Sequence, residues 1–332
     1  MNLQHRIDLL TRLGDYMLSP DPAWQEVKEK ASVENGWFIP EFIEIATKNI
    51  ATTFLQKDKL QAWTANYQLQ TTNHKAVTVG IVMAGNIPLV GFHDWLCVFL
   101  SGHRSMIKPS SSDQVLIRHL VEKMVEFETA SHELFMFSEM LKGCDAYIAT
   151  GSNNSSRYFE YYFDKYPHII RRNRTSVAIL DGKETQDDLK NLSDDVYLFF
   201  GRGCRNVTKL YTPTDYDFVP LLEAFKKYNR LADHHKYKNN LDYNLAIYIL
   251  NKKFYMSTGS LLVVEEPSFF APVGQLNYEF YTDKNSLVRS LAGHPDLQCI
   301  IGREQAPFGS SQSPAIGEFA DGVDTMAFLT NL

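Results

Sequence analysis

Cysteine is scarce in this 332-residue chain: there are four, Cys97, Cys144, Cys204 and Cys299, and no two form a CxxC pair. That spacing excludes a zinc ribbon and a disulfide framework, so each thiol is read either as a small buried hydrophobe or as a reactive group in a reducing compartment. An apolar run of the roughly 18 residues that a membrane span needs is also missing. The opening MNLQHRIDLLTRLGDYM mixes charges with leucines at helical spacing and lacks the basic start and continuous apolar stretch of a secretory signal. A cytosolic protein is expected, and the sequons at Asn153 and Asn154 are then chance. Nor is there an excess of positive charge: a net charge of −6 and a pI of about 5.9 leave no footprint for nucleic acid or an anionic membrane as partner. Internal repeats, low-complexity tracts, flexible linkers and the GxGxxG dinucleotide fingerprint are absent as well.

What is there is an ordinary globular composition, 44% hydrophobic and 22% charged, long enough for two domains. Residues 1 to about 70 carry helical patterns such as Ile7, Leu10, Leu13 and Met17, and read as a packing layer without chemistry. From Val77 to Met83 a β-branched run ends in the turn Ala84-Gly85-Asn86-Ile87-Pro88, and a helix is expected over Val90 to Leu100. Ser105 to Lys108 is a second short strand, with Ser110 to Asp113 supplying cap residues ahead of Leu116, Leu120 and Met124. Asp145 to Ala149, the turn Thr150-Gly151-Ser152 and a helix through Phe163 make a third unit, and Ser176 to Leu180 a fourth strand. Alternation at this spacing argues for an α/β fold with a parallel, doubly wound sheet.

Taken singly the chemical features are plain. Gly85-Asn86-Ile87-Pro88 reads as a tight turn, Lys108 before Pro109 as a solvated lysine, Thr150-Gly151-Ser152 as a helix cap, and Cys204 between Gly203 and Arg205 as a structural thiol. Their order says more. Gly80 to Pro88, Ile107-Lys108-Pro109-Ser110, Ala149-Thr150-Gly151-Ser152, Phe200-Gly201-Arg202-Gly203-Cys204 and a tail Pro307-Phe308-Gly309 with Ser313 and Gly317 stand in one sequence of blocks over about residues 77 to 330. In that order they resemble the aldehyde dehydrogenase superfamily and, within it, the acyl-CoA reductases typified by the long-chain fatty-acid reductase of bacterial luminescence.

The resemblance implies two doubly wound α/β domains with an active site between them, residues 1–181 forming the helical layer and dinucleotide-binding domain and 182–332 the catalytic domain. It makes Cys204 the nucleophile, a soft group that can attack a thioester carbonyl and later leave, with the Asn86 side chain and the Cys204 amide as donors to the oxyanion. It places the dinucleotide at Lys108, Ser110 and Ser111 on its adenosine side, at Gly151 and Ser152 on its pyrophosphate, and toward Phe308 and Glu266. For Glu266 a simple Glu265-Glu266-Pro267 turn at a strand end is an equal account. His234-His235 has no third ligand in register and reads as a surface loop, so no metal is assigned.

Two departures from the superfamily's pattern decide the reaction. Aldehyde-oxidising relatives use a glutamate to activate the water that hydrolyses the acyl-enzyme, whereas Ile170-Arg171-Arg172-Asn173-Arg174-Thr175-Ser176 carries no carboxylate. The thioester should then survive until a hydride resolves it. This favours reduction of an acyl-CoA or acyl-carrier-protein thioester to an aldehyde over an acyl-phosphate reductase or a non-catalytic dinucleotide-binding subunit, with the arginines read as either a solvated loop or phosphate contacts. The chain is also short beyond Phe328, without the usual oligomerisation strand, so a homodimer or an acyl-transfer partner protein is expected rather than the common larger assembly.

The second departure is Ser111, which stands where many NAD-selective relatives have a glutamate that repels a 2′-phosphate. NADPH is therefore expected to bind more tightly than NADH. Fluorescence titration should show that order in the unaltered chain, and Ser111→Glu should weaken NADPH by about tenfold or more through like-charge repulsion while sparing NADH. An unchanged ratio removes residues 108–112 from the site.

Overall fold

Short β-branched runs separated by helices build the first of two sheets. In the computed structural model, which describes residues 1–69 and 76–332, this sheet comprises β1 (Thr78–Val82), β2 (Arg104–Lys108), β3 (Phe135–Phe137), β4 (Ala146–Thr150) and β5 (His168–Arg171). All are parallel, in the order β3-β2-β1-β4-β5. A parallel sheet is covered on both faces, and Val79, Ile81, Ile107, Ile148 and Ala149 accordingly expose no surface. The order runs outward from β1 on one side and then from β4 on the other. The reversal between β1 and β4 is the kind of switch point outside whose carboxyl ends ligands bind in open α/β sheets.

Helices α1 (Leu3–Met17), α2 (Pro22–Glu34), α3 (Pro40–Asn49), α4 (Lys57–Thr64), α5 (Phe92–Ser101), α6 (Val115–Phe127) and α7 (Asn153–Phe163) surround that sheet, the first four being the expected packing layer. Proline at the first helical position opens α2, and Asp21 caps it by accepting from the Ala23 amide at 2.9 Å. In α5, Trp95 to Leu100 are all fully buried, as a helix apolar on every side must be.

The second sheet holds β6 (Thr175–Ile179), β7 (Val207–Pro213), β8 (Met256–Ser257), β9 (Leu262–Glu265), β10 (Gln275–Tyr281) and β11 (Leu297–Ile301), in the order β11-β6-β7-β10-β9-β8. Only β8 against β9 is antiparallel. Its helices are α8 (Gln186–Tyr197), α9 (Val219–Phe225), α10 (His235–Leu250) and α11 (Lys284–Leu291).

The chain divides into Met1–Asn173 with Pro314–Leu332, and Arg174–Ser313. This differs from a division at 181 in two places. Only residues 172–174 separate β5 from β6, and a parallel neighbour needs a crossover that carries the chain back to the starting end of the sheet, which three residues cannot span. The run from Ser176 therefore cannot join the first sheet as its next strand and begins the second one, between β7 and β11.

The tail returns to the first unit, where its final helix, Thr325–Thr330, meets a buried ion pair. Arg171, 3% exposed, donates to Asp94 Oδ2 of α5 at 2.6 Å and to Thr325 Oγ1 at 2.8 Å. His103 Nε2 and the Leu329 carbonyl add a contact at 2.9 Å. Removing one member of such a pair leaves the other charged in a low-dielectric site. Asp94→Asn should therefore lower the unfolding free energy by about 3–5 kcal/mol in a denaturant titration, and Asp94→Leu combined with Arg171→Met by less. Equal losses in the two variants would show that the pair is not the tie.

Candidate active site

Because all strands of the first sheet run the same way, the turns that follow them collect along one edge. Asn86 follows β1, Lys108 ends β2 with Ser110 and Ser111 just beyond, and Gly151 and Ser152 follow β4. The first two turns are in direct contact. A Cβ on Gly85 would lie 2.5 Å from Ser110 Oγ and 3.2 Å from Ser112 Cβ, so only glycine lets the Asn86 turn pass the serine loop. That turn is pinned again at Leu89, whose φ of 57° is left-handed and whose amide donates to Asp113 Oδ2 at 2.7 Å. Asp113 was expected to cap a helix. Instead it is buried against the Asn86 turn, burial pushing its carboxyl well above the usual range, and α6 begins at Val115 after Gln114, which makes no side-chain cap hydrogen bond.

Lys108 is half-buried and its ammonium donates to the Glu139 carbonyl at 2.8 Å. Ser111 is exposed, while Ser110 Oγ accepts from the Ser112 amide at 3.2 Å. At the next turn a Cβ on Gly151 would meet Phe159 at 2.8 Å and Ser155 at 2.9 Å, so glycine is what brings α7 down onto the strand end. Ser152 caps α7 by accepting from the Ser155 amide at 3.2 Å. The first two residues of α7, Asn153 and Asn154, are exposed, and a helix start with the positive end of its dipole toward solvent is a phosphate-binding geometry.

In the second unit Cys204 lies in a turn from Gly203 to Asn206, immediately before β7. The turn is closed by the Asn206 amide donating to the Gly203 carbonyl at 3.1 Å and by the Gly203 amide donating to Asn206 Oδ1 at 2.8 Å. Ahead of it Phe199, Phe200 and Gly201 are consecutively left-handed, with φ of 55°, 57° and 70°. For a phenylalanine this costs about 1–3 kcal/mol per residue. The phenylalanine rings, 5% and 1% exposed, and the anchoring of the Leu198 carbonyl by Asn206 Nδ2 at 2.9 Å hold the strain.

Cys204 is partly exposed, and so is Cys299 on β11. Ser176 Oγ donates to the Cys204 carbonyl at 3.2 Å and lies 2.9 Å from Cys299 Sγ, a neighbouring thiol that the sequence did not announce. Cys97 and Cys144 are buried, and desolvation raises both of their pKa values, away from nucleophilic use. Phe308 sits in a loop tied to the end of α8: Asp195 accepts from the Gly309 amide at 2.6 Å and from the Ser311 amide at 2.9 Å. The Asp195 carbonyl accepts from Asn206 Nδ2 at 3.0 Å, so the Cys204 turn and the Phe308 loop share one anchor.

Glu266 is not brought to Cys204. It follows β9, and through the pairs Glu265–Tyr278 and Tyr278–Leu210 it lies level with the middle of β7, whereas Cys204 precedes the first residue of β7. The arginine run is likewise not a set of phosphate contacts at Arg171, which is committed to Asp94 and Thr325; exposed Arg172 pairs with Glu160. His234 is not a loop residue but the cap of α10, accepting from the Tyr237 amide at 3.4 Å. Among the described residues no group of three His, Cys, Asp or Glu could hold a metal, and no helix is long and apolar enough to cross a membrane.

A model of the LuxC acyl-CoA reductase family matches residues 47–220, 174 of the 332 in the chain. The chain belongs to this family. The matched segment contains Asn86, Lys108, Ser110, Ser111, Gly151, Ser152 and Cys204 and ends before Glu266 and Phe308. No curated protein matches by sequence.

Among solved structures, aldehyde dehydrogenase 21 from Physcomitrella patens, in complex with the reaction product succinate, is similar with a TM-score of 0.70 and 12% identity, over 100% of this chain and 84% of that one. A putative aldehyde dehydrogenase from Burkholderia cenocepacia gives 0.68 at 13% identity, over 94% and 76%. An aldehyde dehydrogenase from Mycobacterium tuberculosis complexed with NAD+ gives 0.63 at 13%, over 91% and 73%. The LuxC-family chain thus has the aldehyde dehydrogenase fold, as its sequence blocks led one to expect.

The shared anchor at Asp195 is testable by stability. An asparagine there can accept only one of the two amides and turns a donor toward the other, so Asp195→Asn should lower unfolding stability by about 1–3 kcal/mol. Burial outweighs those hydrogen bonds and raises the Asp195 pKa in the folded chain. A raised folded value means that stability is present below the unfolded pKa and lost as pH rises through the folded one. The gap between the unaltered chain and Asp195→Asn should therefore narrow as pH rises. A gap independent of pH would show that Asp195 titrates alike in both states.

Proposed function

We propose that the chain reduces an acyl thioester to an aldehyde with a nicotinamide dinucleotide, through an acyl group held on Cys204. The observation that carries this reading is the segment from Ile170 to Ser176. It holds no carboxylate to activate water, and its first arginine is committed to the fold through Asp94.

The chemistry begins at Cys204. Its sulfur attacks the thioester carbonyl, the bond to the departing thiol breaks, and that thiol leaves with the proton. The charge that gathers on the carbonyl oxygen needs donors fixed in advance, and the Asn86 side chain and the Cys204 amide are assigned that task. Both stand on turns held from several sides. With no base to make water competitive, the acyl-enzyme persists.

The first unit's residues fit a dinucleotide. The start of α7 offers amides to a pyrophosphate, Gly151 and Ser152 are assigned beside it and Lys108 and Ser110 to the adenosine side, and exposed Ser111 carries no charge to repel a 2′-phosphate, which favours NADPH over NADH. When bound, the reduced nicotinamide supplies the hydride. Phe308 and Glu266 remain assigned to the cofactor's nicotinamide end. The acyl donor is coenzyme A or a carrier protein, and a homodimer or an acyl-transferring partner is the expected assembly.

Intact-protein mass spectrometry after exposure to butyryl-, octanoyl- and palmitoyl-coenzyme A, without dinucleotide, tests the reading. An adduct of the acyl mass should appear on the peptide containing Cys204, persist, and clear as aldehyde once NADPH is added. Cys97, Cys144 and the nearby Cys299 should stay unmodified. Cys204→Ser should abolish the adduct and leave dinucleotide binding intact, and Asn86→Ala should slow adduct formation by about 10²- to 10³-fold. An adduct on Cys299, or turnover by Cys204→Ser, overturns the assignment. Rapid hydrolysis to free acid would keep Cys204 and refute the missing base, and adducts from acyl phosphates alone would change the substrate class.

A further inference from the structure

The residue two places beyond the nucleophile is more completely used than any side chain assigned a role above. Asn206 has no exposed surface. Its Oδ1 accepts from the Gly203 amide at 2.8 Å, and its Nδ2 donates toward the carbonyls of Asp195, Val196 and Leu198 at 3.0, 3.3 and 2.9 Å. Its own amide donates to the Gly203 carbonyl at 3.1 Å, and its carbonyl accepts from the Ser176 amide at 3.0 Å and from Thr175 Oγ1 at 3.2 Å. One asparagine thus joins the end of α8, the left-handed run at Phe199–Gly201, the Cys204 turn and β6.

The geometry has a consequence for Cys204. The peptide joining Gly203 to Cys204 is planar and trans, so its N–H points opposite to its C=O. The Gly203 carbonyl is turned inward, to the Asn206 amide, and the Gly203 amide is held by Asn206 Oδ1. The Cys204 N–H is therefore directed out of the turn; the plane carrying it is held by the Gly203 carbonyl's bond to the Asn206 backbone amide, and the peptide before it by the Gly203 amide's bond to Asn206 Oδ1. On the far side of Cys204 the next carbonyl is held by Ser176 Oγ.

We infer that Asn206 is a positioning residue for acylation: its side chain holds the peptide ahead of Gly203 and so keeps the shape of the turn whose next peptide presents the Cys204 amide to the oxyanion, and it acts on that turn rather than on the thiol. This rests on the proposed acyl-Cys204 chemistry. Alkylation by iodoacetamide uses the same sulfur but develops no oxyanion at the carbon attacked, so the two reactions separate the two roles.

Asn206→Ala should acylate from octanoyl-coenzyme A about 10- to 100-fold more slowly at saturation, with the half-saturating concentration within about threefold of the unaltered chain and the alkylation of Cys204 within about twofold. Asn244→Ala removes another buried asparagine of the same unit, one that donates to the Val273 carbonyl at 2.9 Å far along the chain from the nucleophile. It should acylate at the unaltered rate. Asn206→Asp keeps the acceptor for Gly203 but sets a carboxyl against the carbonyls. That carboxyl can donate only when protonated, so the acylation rate of this variant relative to the unaltered chain should fall as pH rises.

Acylation at the unaltered rate in folded Asn206→Ala overturns the inference. So do equal losses of acylation and alkylation, or an equal loss in Asn244→Ala. Should Asn206→Ala fail to fold, a pH-independent ratio in Asn206→Asp overturns it as well. Failure of the underlying chemistry is seen separately, in an unaltered chain that takes no acyl group from any thioester yet still alkylates at Cys204.

Discussion

A parallel sheet imposes one rule on everything attached to it: each strand must be re-entered from the same end, so every turn that follows a strand lies on one edge and every turn that precedes one lies on the other. The first sheet obeys this with five strands, and the turns after β1, β2 and β4 bring Asn86, Lys108 with its serines, and Gly151 with Ser152 to a common edge. The second sheet uses the opposite end. Cys204 enters β7 rather than leaving it, whereas Glu266 follows the end of β9, level with the middle of β7.

Holding turns in fixed shape at these edges takes buried polar groups. Three of them, Asp113, Asp195 and Asn206, are nearly or wholly out of solvent and spend their hydrogen-bonding capacity on backbone rather than on substrate. Each compensates amides or carbonyls that a tight turn would otherwise leave unsatisfied at a cost of about 1–3 kcal/mol. Two of the three stand beside left-handed residues, Leu89 and the Phe199–Phe200 pair. Strain of this kind persists only where surrounding contacts over-determine it.

The sequence made the strand-turn-helix units legible because β-branched runs and cap residues are local signals. Val77 to Met83, Ser105 to Lys108 and Asp145 to Ala149 were readable that way, and the order of their turns led to the family. What was not legible depends on distance along the chain. Nothing near Asp113 distinguishes a helix cap from a carboxylate that holds Leu89, twenty-four residues earlier. Arg171 looked like part of a solvated or phosphate-facing run because Asp94 and Thr325, its partners, are 77 and 154 residues away. The short link between β5 and β6 was a usable signal that went unread: a three-residue connection cannot make a parallel crossover, and so marks the start of a new sheet. Asn206 carried no motif at all, since its importance lies in four backbone groups that only the fold assembles.

The contact between Gly85 and Ser110 bears on how this protein can change over generations. The space between them is already filled: a methyl group at 85 would meet the serine hydroxyl, and a side chain larger than serine at 110 would press on a glycine one residue from Asn86. Divergence at position 110 is thereby confined to small residues unless the loop that carries Asn86 moves with it. Exposed Ser111, by contrast, can vary without disturbing its neighbour across the turn. Natural variation in close relatives should therefore be wide at position 111 and narrow at position 110.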